Sequence, residues 1–271
     1  MTAGGSMGPR ALMLISTTLL VLPLSLVLIA LVKDYRPDLS SEGWGLARPF
    51  LGRTLIFALA STVGQMIVGV AAALTVLWTT RSALKQTIVI AVFLLPYAIP
   101  ASVVGLSFGF AAGPQSYWAE MMESVFSIPP GYWLYDHPLL SAVAASIWQY
   151  FPFAFLLTLL ALRTIPADTL RAAQLDGATF SSITSKIVLR SIWPVLLAIF
   201  MLRFVFMLVK FDTPFVFLEK IATRDEVATL ELWRSVRGSD SSHLGTIAWM
   251  LQLSAIAIAL LYARIHRRGV A

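Results

Sequence analysis

Long uncharged, apolar stretches, parted by short clusters of charge and turn-forming residues, set the pattern of this chain. A helix rises about 1.5 Å per residue, so roughly twenty apolar residues cross about 30 Å of hydrocarbon. Uncharged runs over residues 11–32, 54–80, 86–119, 138–162 and 244–263 meet that length. One more run opens at Trp193, meets Arg203, and continues to Val209 before Lys210. The pattern predicts an all-α integral membrane protein with six transmembrane helices, at about 11–32, 54–80, 86–110, 138–162, 193–215 and 244–263, in a single transmembrane domain over 1–271. The first run exceeds a usual secretory apolar region, and no small-x-small cleavage site follows Val32, so it is expected to stay as an anchor.

Composition sharpens this picture. Hydrophobic residues make up 58% of the 271 and charged ones 13%, about half the roughly 25% of soluble domains, which excludes a water-soluble fold. The net charge of +6 would suit a nucleic-acid partner in a soluble protein. Here the bases mostly border apolar runs, so topology explains them and no nucleic acid is implied. With no Cys there is no disulfide, thiolate catalysis or Cys-ligated zinc. Six spans place both termini on one side, and Arg264, Arg267 and Arg268, directly after the last run, mark that side as cytoplasmic. Loops at about 33–53, 120–137 and 211–243 then face outward. The second holds Ile128-Pro129-Pro130-Gly131 and Trp133, which suits the membrane interface, and the third suggests a short amphipathic helix around 226–236.

Residues 163–192 form the one sizeable cytoplasmic loop, and it reads as a helical hairpin. Pro166 suits a first helical turn, Asp168 a helix N-terminus, and Leu170, Ala173 and Gln174 follow at helical spacing until Gly177 supplies a left-handed C-cap. Thr179 caps a second helix running toward Leu189, with Ile183 and Ile187 on one face. Such a hairpin, fixed between two membrane helices, suits docking on another protein, although an ordinary connector has the same shape.

The residues of the loop resemble the EAA loop of the membrane subunits of ATP-binding-cassette importers, whose pattern is E-A-A, two residues, D-G-A, about eight residues, then I-x-L-P and a later Pro. Here the stretch reads Arg171-Ala172-Ala173, Gln174-Leu175, Asp176-Gly177-Ala178, with Ile187, Leu189 and Pro194 in register. Arg171 stands where the pattern is acidic and Arg190 where it has its first proline. The charge reversal puts that polar contact in doubt and implies a compensating partner surface. Leu94-Leu95-Pro96-Tyr97-Ala98-Ile99-Pro100 is similar to an L-P-x-x-I-P element of carbohydrate-type permeases, and Trp148-Gln149-Tyr150-Phe151-Pro152-Phe153 to their W-x-x-x-P-F/Y element. Phe211-Asp212-Thr213-Pro214 falls where those proteins leave the fifth span. The resemblance implies a type I importer permease of the maltose, trehalose or glycerol-phosphate class, multi-pass in a bacterial or archaeal cell membrane. It also implies the partners: a second homologous permease, two nucleotide-binding ATPase subunits and an extracytoplasmic solute-binding protein. ATP and Mg would be bound by the ATPases and no cofactor by this chain. Arg171, Ala172, Ala173, Asp176, Gly177 and Ala178 would couple it to them.

Within the spans, Pro96, Pro100 and Pro152 should kink the third and fourth helices, either opening a cavity or as packing irregularity. Arg203 is costly inside a span. It either faces an interior path or snorkels, and Arg203, Phe206 and Lys210 recur at i, i+3 and i+7. A sugar site needs aromatic faces and a few hydrogen-bonding groups among apolar walls. Ser146, Gln149, Tyr150 and Phe153, with Arg203, Phe206, Lys210 and Asp212, are the candidates, and the same cations suit a phosphorylated polyol such as glycerol phosphate. The same stripe also reads as plain helix packing. His137, His243 and His266 are scattered and no HExxH, phosphate loop or Ser/His/Asp set occurs, so no enzyme and no metal site is expected. An ion-coupled secondary transporter is the rival, but it would normally carry carboxylates within its spans, and none of the 14 acids lies in a clear one.

Overall fold

A computed structural model describes residues 38, 40–79, 82–111, 116–126, 137–218, 227–237 and 244–269. The expected span at 11–32 and the Ile128–Trp133 stretch lie outside the described residues. Helices and their connections account for everything described. Helix α1 is Ser41–Thr79, which takes in much of the loop expected at 33–53. It is followed by α2 (Ala83–Ala98), α3 (Ala101–Ala111) and α4 (Tyr117–Phe126). Helix α5 is Pro138–Leu162, with Pro138 at its first turn, where a missing N–H costs nothing.

Three more of the expected elements are drawn differently. The run at 86–110 is one helix broken in two, with α2 and α3 bent by 90°. Pro100 is the cause: it has no N–H, and its ring pushes Ile99 out of the helical region to φ −83, ψ 130. Pro96 and Pro152 lie inside helices and end neither. The second hairpin helix and the following span are a single 29-residue helix, α7 (Phe180–Leu208), with a π-helical turn over Ile183–Val188. That span stops at Leu208 rather than continuing to 215, and a new helix, α8, starts at Asp212 and ends at Leu218. Between α5 and α7 lies α6 (Ala167–Leu175). Helices α9 (Ala228–Arg237), amphipathic as expected, and α10 (Leu244–Gly269) complete the described chain. By length and apolarity α1, α5 and α7 can each cross a membrane, the α2–α3 pair makes a fourth crossing if taken as one, and the apolar part of α10, Gly245–Ile258, is shorter.

Helix α5 is the hub, packed against α1, α2, α3, α7 and α8. Its crossing with α1 is close because small residues line it: Ala58, Ser61, Thr62, Ala73, Ala142 and Ala145 are fully buried. In lipid there is no hydrophobic drive between helices, so tight backbone approach and the contacts it allows supply the association. At Gly69 it is the backbones that come close, since a Cβ there would lie 2.7 Å from the Phe155 backbone nitrogen. One apolar cluster gathers Phe57, Tyr150, Met207, Phe217 and Leu230, and another, toward the hairpin, gathers Val76, Phe155, Leu162, Ile183 and Ile192. At the far end from the hairpin, the Ala228 N–H donates to Thr54 Oγ1 at 2.8 Å, tying α9 to α1.

Candidate functional site

The break after α7 creates the first candidate site. Val209, Lys210 and Phe211 leave the helix there, and the Thr229 hydroxyl donates to the Lys210 carbonyl at 2.9 Å, fixing the turn. Freed from the helix, Lys210 turns toward α5: its Nζ donates to the Tyr150 hydroxyl, lies 4.1 Å from the Tyr150 ring centroid, and pairs with Asp212 Oδ1 at 2.8 Å. Asp212 also accepts the N–H of its neighbour Thr213 at 3.0 Å.

Arg203 approaches the same tyrosine from within the bundle. It is only 5% exposed, so it does not snorkel. Its Cζ is 5.1 Å from the Tyr150 ring centroid and 5.3 Å from that of Phe153, both within cation–π range. Its Nε donates to Gln65 Oε1 at 2.9 Å, and the Gln65 amide nitrogen donates to the Ser146 carbonyl at 3.2 Å, which fixes the amide's orientation. Tyr97, from the end of α2, meets Tyr150 edge-on at 6.0 Å and Phe153 at 6.4 Å. Gln149 reaches the break itself, its Nε2 donating to the Ile99 carbonyl at 2.7 Å. That acceptor needs a partner, since Val103 and Val104 both donate to the Pro100 carbonyl instead.

Of the eight residues expected to line a path, Tyr150, Phe153, Arg203, Lys210 and Asp212 thus come together, while Gln149 is held at the α2–α3 break. Ser146 contributes its carbonyl, while its hydroxyl is buried without a partner among the described residues. Phe206 is 51% exposed and makes no ring contact with the cluster among the described residues. The i, i+3, i+7 pattern therefore loses Phe206, which faces outward within the helix, while Lys210 reaches Tyr150 from beyond the helix end. Gln65 and Tyr97 were missing from that set. A lone amide in an otherwise apolar run is a readable sign for Gln65, and the proline on either side of Tyr97 is one for a residue at a break.

The second candidate site is the hairpin. Gly177 adopts φ +76, and the turn is a Schellman motif: the Ala178 N–H donates to the Ala173 carbonyl at 3.0 Å and the Gly177 N–H to the Gln174 carbonyl at 3.1 Å. Thr179 Oγ1 accepts the Ser182 N–H at 3.3 Å and opens the next helix. Arg171, Ala172, Asp176 and Gly177 are exposed and Ala173 and Ala178 half-buried. Arg171 pairs with Asp168 at 3.3 Å, a solvent-exposed contact of little energetic weight. Leu175, 88% exposed at the tip, and the exposed Phe180 are apolar groups that the sequence pattern did not single out. Ile183 and Val188, fully buried, root the hairpin in the bundle.

Comparison with known proteins bears on both sites. The maltose/maltodextrin transport system permease protein MalF of Vibrio parahaemolyticus is 30% identical over 172 residues, which is 59% of this chain and 32% of that protein. The trehalose transport system permease protein SugA of Mycobacterium tuberculosis is 29% identical over 171 residues, 63% of this chain and 53% of its own length. The chain therefore spans about a third to a half of these relatives. In fold it is similar to a chain of a bacterial alginate ABC transporter crystallised with an alginate pentasaccharide-bound periplasmic protein, with a TM-score of 0.73 at 16% identity over 96% of this chain and 93% of that one. A chain of the MetNI methionine ABC transporter gives 0.60 at 15% identity, over 85% and 99%. Residues 65–268, from Gln65 through the hairpin to the last helix, match one family as a whole, and the chain belongs to it: the binding-protein-dependent transport system inner membrane components.

Proposed function

We propose that this chain is the permease subunit of an ATP-driven importer, which with a second homologous permease forms the path for a sugar or sugar-like solute delivered by a solute-binding protein. One observation carries the reading. The two membrane helices that hold the aromatic and cationic cluster, α5 and α7, are the two joined by the exposed hairpin. Movement imposed on the hairpin passes directly into both helices, and rigid-body rocking of α7 against α5 would change the spacing of Arg203 and Lys210 from Tyr150 and Phe153. In this reading Arg171, Ala172, Ala173, Asp176, Gly177 and Ala178 present the docking surface for an ATPase subunit, with Leu175 as an apolar contact. The partner ATPases bind ATP and Mg, and this chain carries no catalytic group. The hairpin then faces the cytoplasm, as do both termini. The similarity to maltose and trehalose permeases supports a sugar, and the sugar-facing rings would be Tyr97, Tyr150 and Phe153.

The test is reconstitution. Proteoliposomes containing this chain, its companion permease, the ATPases and the binding protein should take up solute only with ATP inside. Uptake by this chain alone, driven by an ion gradient without ATPases, would establish a secondary transporter instead. Uptake of glycerol phosphate in preference to any sugar would keep the importer and replace the sugar.

A further inference from the structure

The charges around Tyr150 do not balance. Lys210 is neutralised by Asp212 at 2.8 Å. Arg203 has no such partner among the described residues: no carboxylate pairs with it, its Nε is held by the neutral Gln65 amide, and its Nη2 is buried with no hydrogen-bond partner among them. Buried charges in proteins are paired, or they await a ligand. The guanidinium lies against the rings of Tyr150 and Phe153, the walls assigned above to the solute path. Ring contacts spread the charge without cancelling it, and the Tyr150 hydroxyl is already engaged by Lys210.

Resting on that reading of the cluster, we propose that the transported solute is anionic, a sugar bearing a carboxylate or a phosphate, whose negative charge is matched by Arg203 behind the aromatic wall. A neutral sugar would gain the ring faces but leave the guanidinium uncompensated. An anionic one gains both, so the cluster selects for charge on a background of sugar stacking.

The experiment uses the assembled complex of this chain, its companion permease and the ATPases in lipid nanodiscs, without the binding protein, so that any discrimination belongs to the membrane subunits. Equilibrium dialysis with labelled trigalacturonate, glucose 6-phosphate and neutral maltotriose reads affinity. At least one of the two anions should be held tenfold or more tighter than maltotriose, and which one is favoured tells carboxylate from phosphate. Arg203→Gln should abolish the preference, and Arg203→Lys, which keeps the charge, should retain most of it. Assembly is checked in each variant by co-purification of the ATPases. No preference in the wild type, or a preference unchanged in Arg203→Gln, overturns the proposal. Tyr150→Ala separates the two levels. If it weakens every probe while the wild type shows no charge preference, the path stands and only the charge inference fails. If it alters no probe, the solute path itself lies elsewhere and both fail.

Discussion

Replacing Gly177 by Val perturbs the hairpin at one point and through one physical term. The residue sits at φ +76, and a Cβ built there meets nothing within 4 Å, so no clash adds to the conformational cost. An L-residue with a Cβ enters the left-handed region at a cost of roughly 1–2 kcal/mol, and a β-branched one stands at the high end. The turn is held against that strain by two exposed hydrogen bonds, Ala178 to Ala173 and Gly177 to Gln174, each worth about 0.5–1.5 kcal/mol net. Strain and restraint are comparable, so a penalty of about 1–2 kcal/mol shifts the turn some five- to thirtyfold toward other geometries. The membrane helices should not follow, because Leu162 on one side and Ile183 and Val188 on the other stay buried. Coexpression with the companion permease and ATPases, followed by co-purification and measurement of solute transported per ATP hydrolysed, reads the effect. Transport should fall in the order Gly, Asn, Ala, Val, since Asn tolerates the left-handed region best among residues with a Cβ, while the amount of inserted protein stays constant. Wild-type coupling in the Val variant would refute the reasoning and leave the hairpin an ordinary connector.

Other expectations follow from single contacts. Gly69→Val should destabilise the α1–α5 crossing by about 3 kcal/mol, the upper end for overpacking, because its Cβ would meet backbone at 2.7 Å, and should lower the detergent melting temperature more than any hairpin variant. Gln149→Leu should strand the Ile99 carbonyl at the α2–α3 break, costing about 1–3 kcal/mol, seen as faster hydrogen exchange at residues 99–104. Tyr150→Phe removes the hydroxyl that Lys210 engages but keeps the ring, so transport affinity should weaken less than with Tyr150→Ala, measured by uptake in proteoliposomes.

What could be read from the sequence and what could not divide along physical lines. The hairpin is local: Gly177, Thr179 and the spacing of Leu170 and Ala173 act within a few residues of one another, so turn type and cap are written in adjacent positions. Helix ends are less local. Nothing between Phe180 and Trp193 breaks a helix, since the stretch holds no proline or glycine, and α7 continues through its π-helical turn over Ile183–Val188 and past Pro194. Two elements were therefore read where one continuous helix exists. Of three prolines expected to bend helices, only Pro100 makes a break, and the Ile99 carbonyl it frees is satisfied by Gln149, fifty positions away.

The charge imbalance at Tyr150 lay furthest from the sequence. Arg203 by itself reads equally as a snorkelling surface cation or an interior one, and its neighbours at helical spacing, Phe206 above all, point to the wrong face. Its surroundings are set by Gln65, 138 positions away on α1, by Tyr150 and Phe153 on α5, and by the Pro100 break that presents Tyr97. Only once these are brought together does it emerge that Asp212 answers Lys210 while no carboxylate answers Arg203 among the described residues. A structural arginine kept for packing would have its donors satisfied by carbonyls or a carboxylate, as buried cations ordinarily do. One left with a free buried donor against the rings of Tyr150 and Phe153 has the place that the negative charge of an anionic solute would fill.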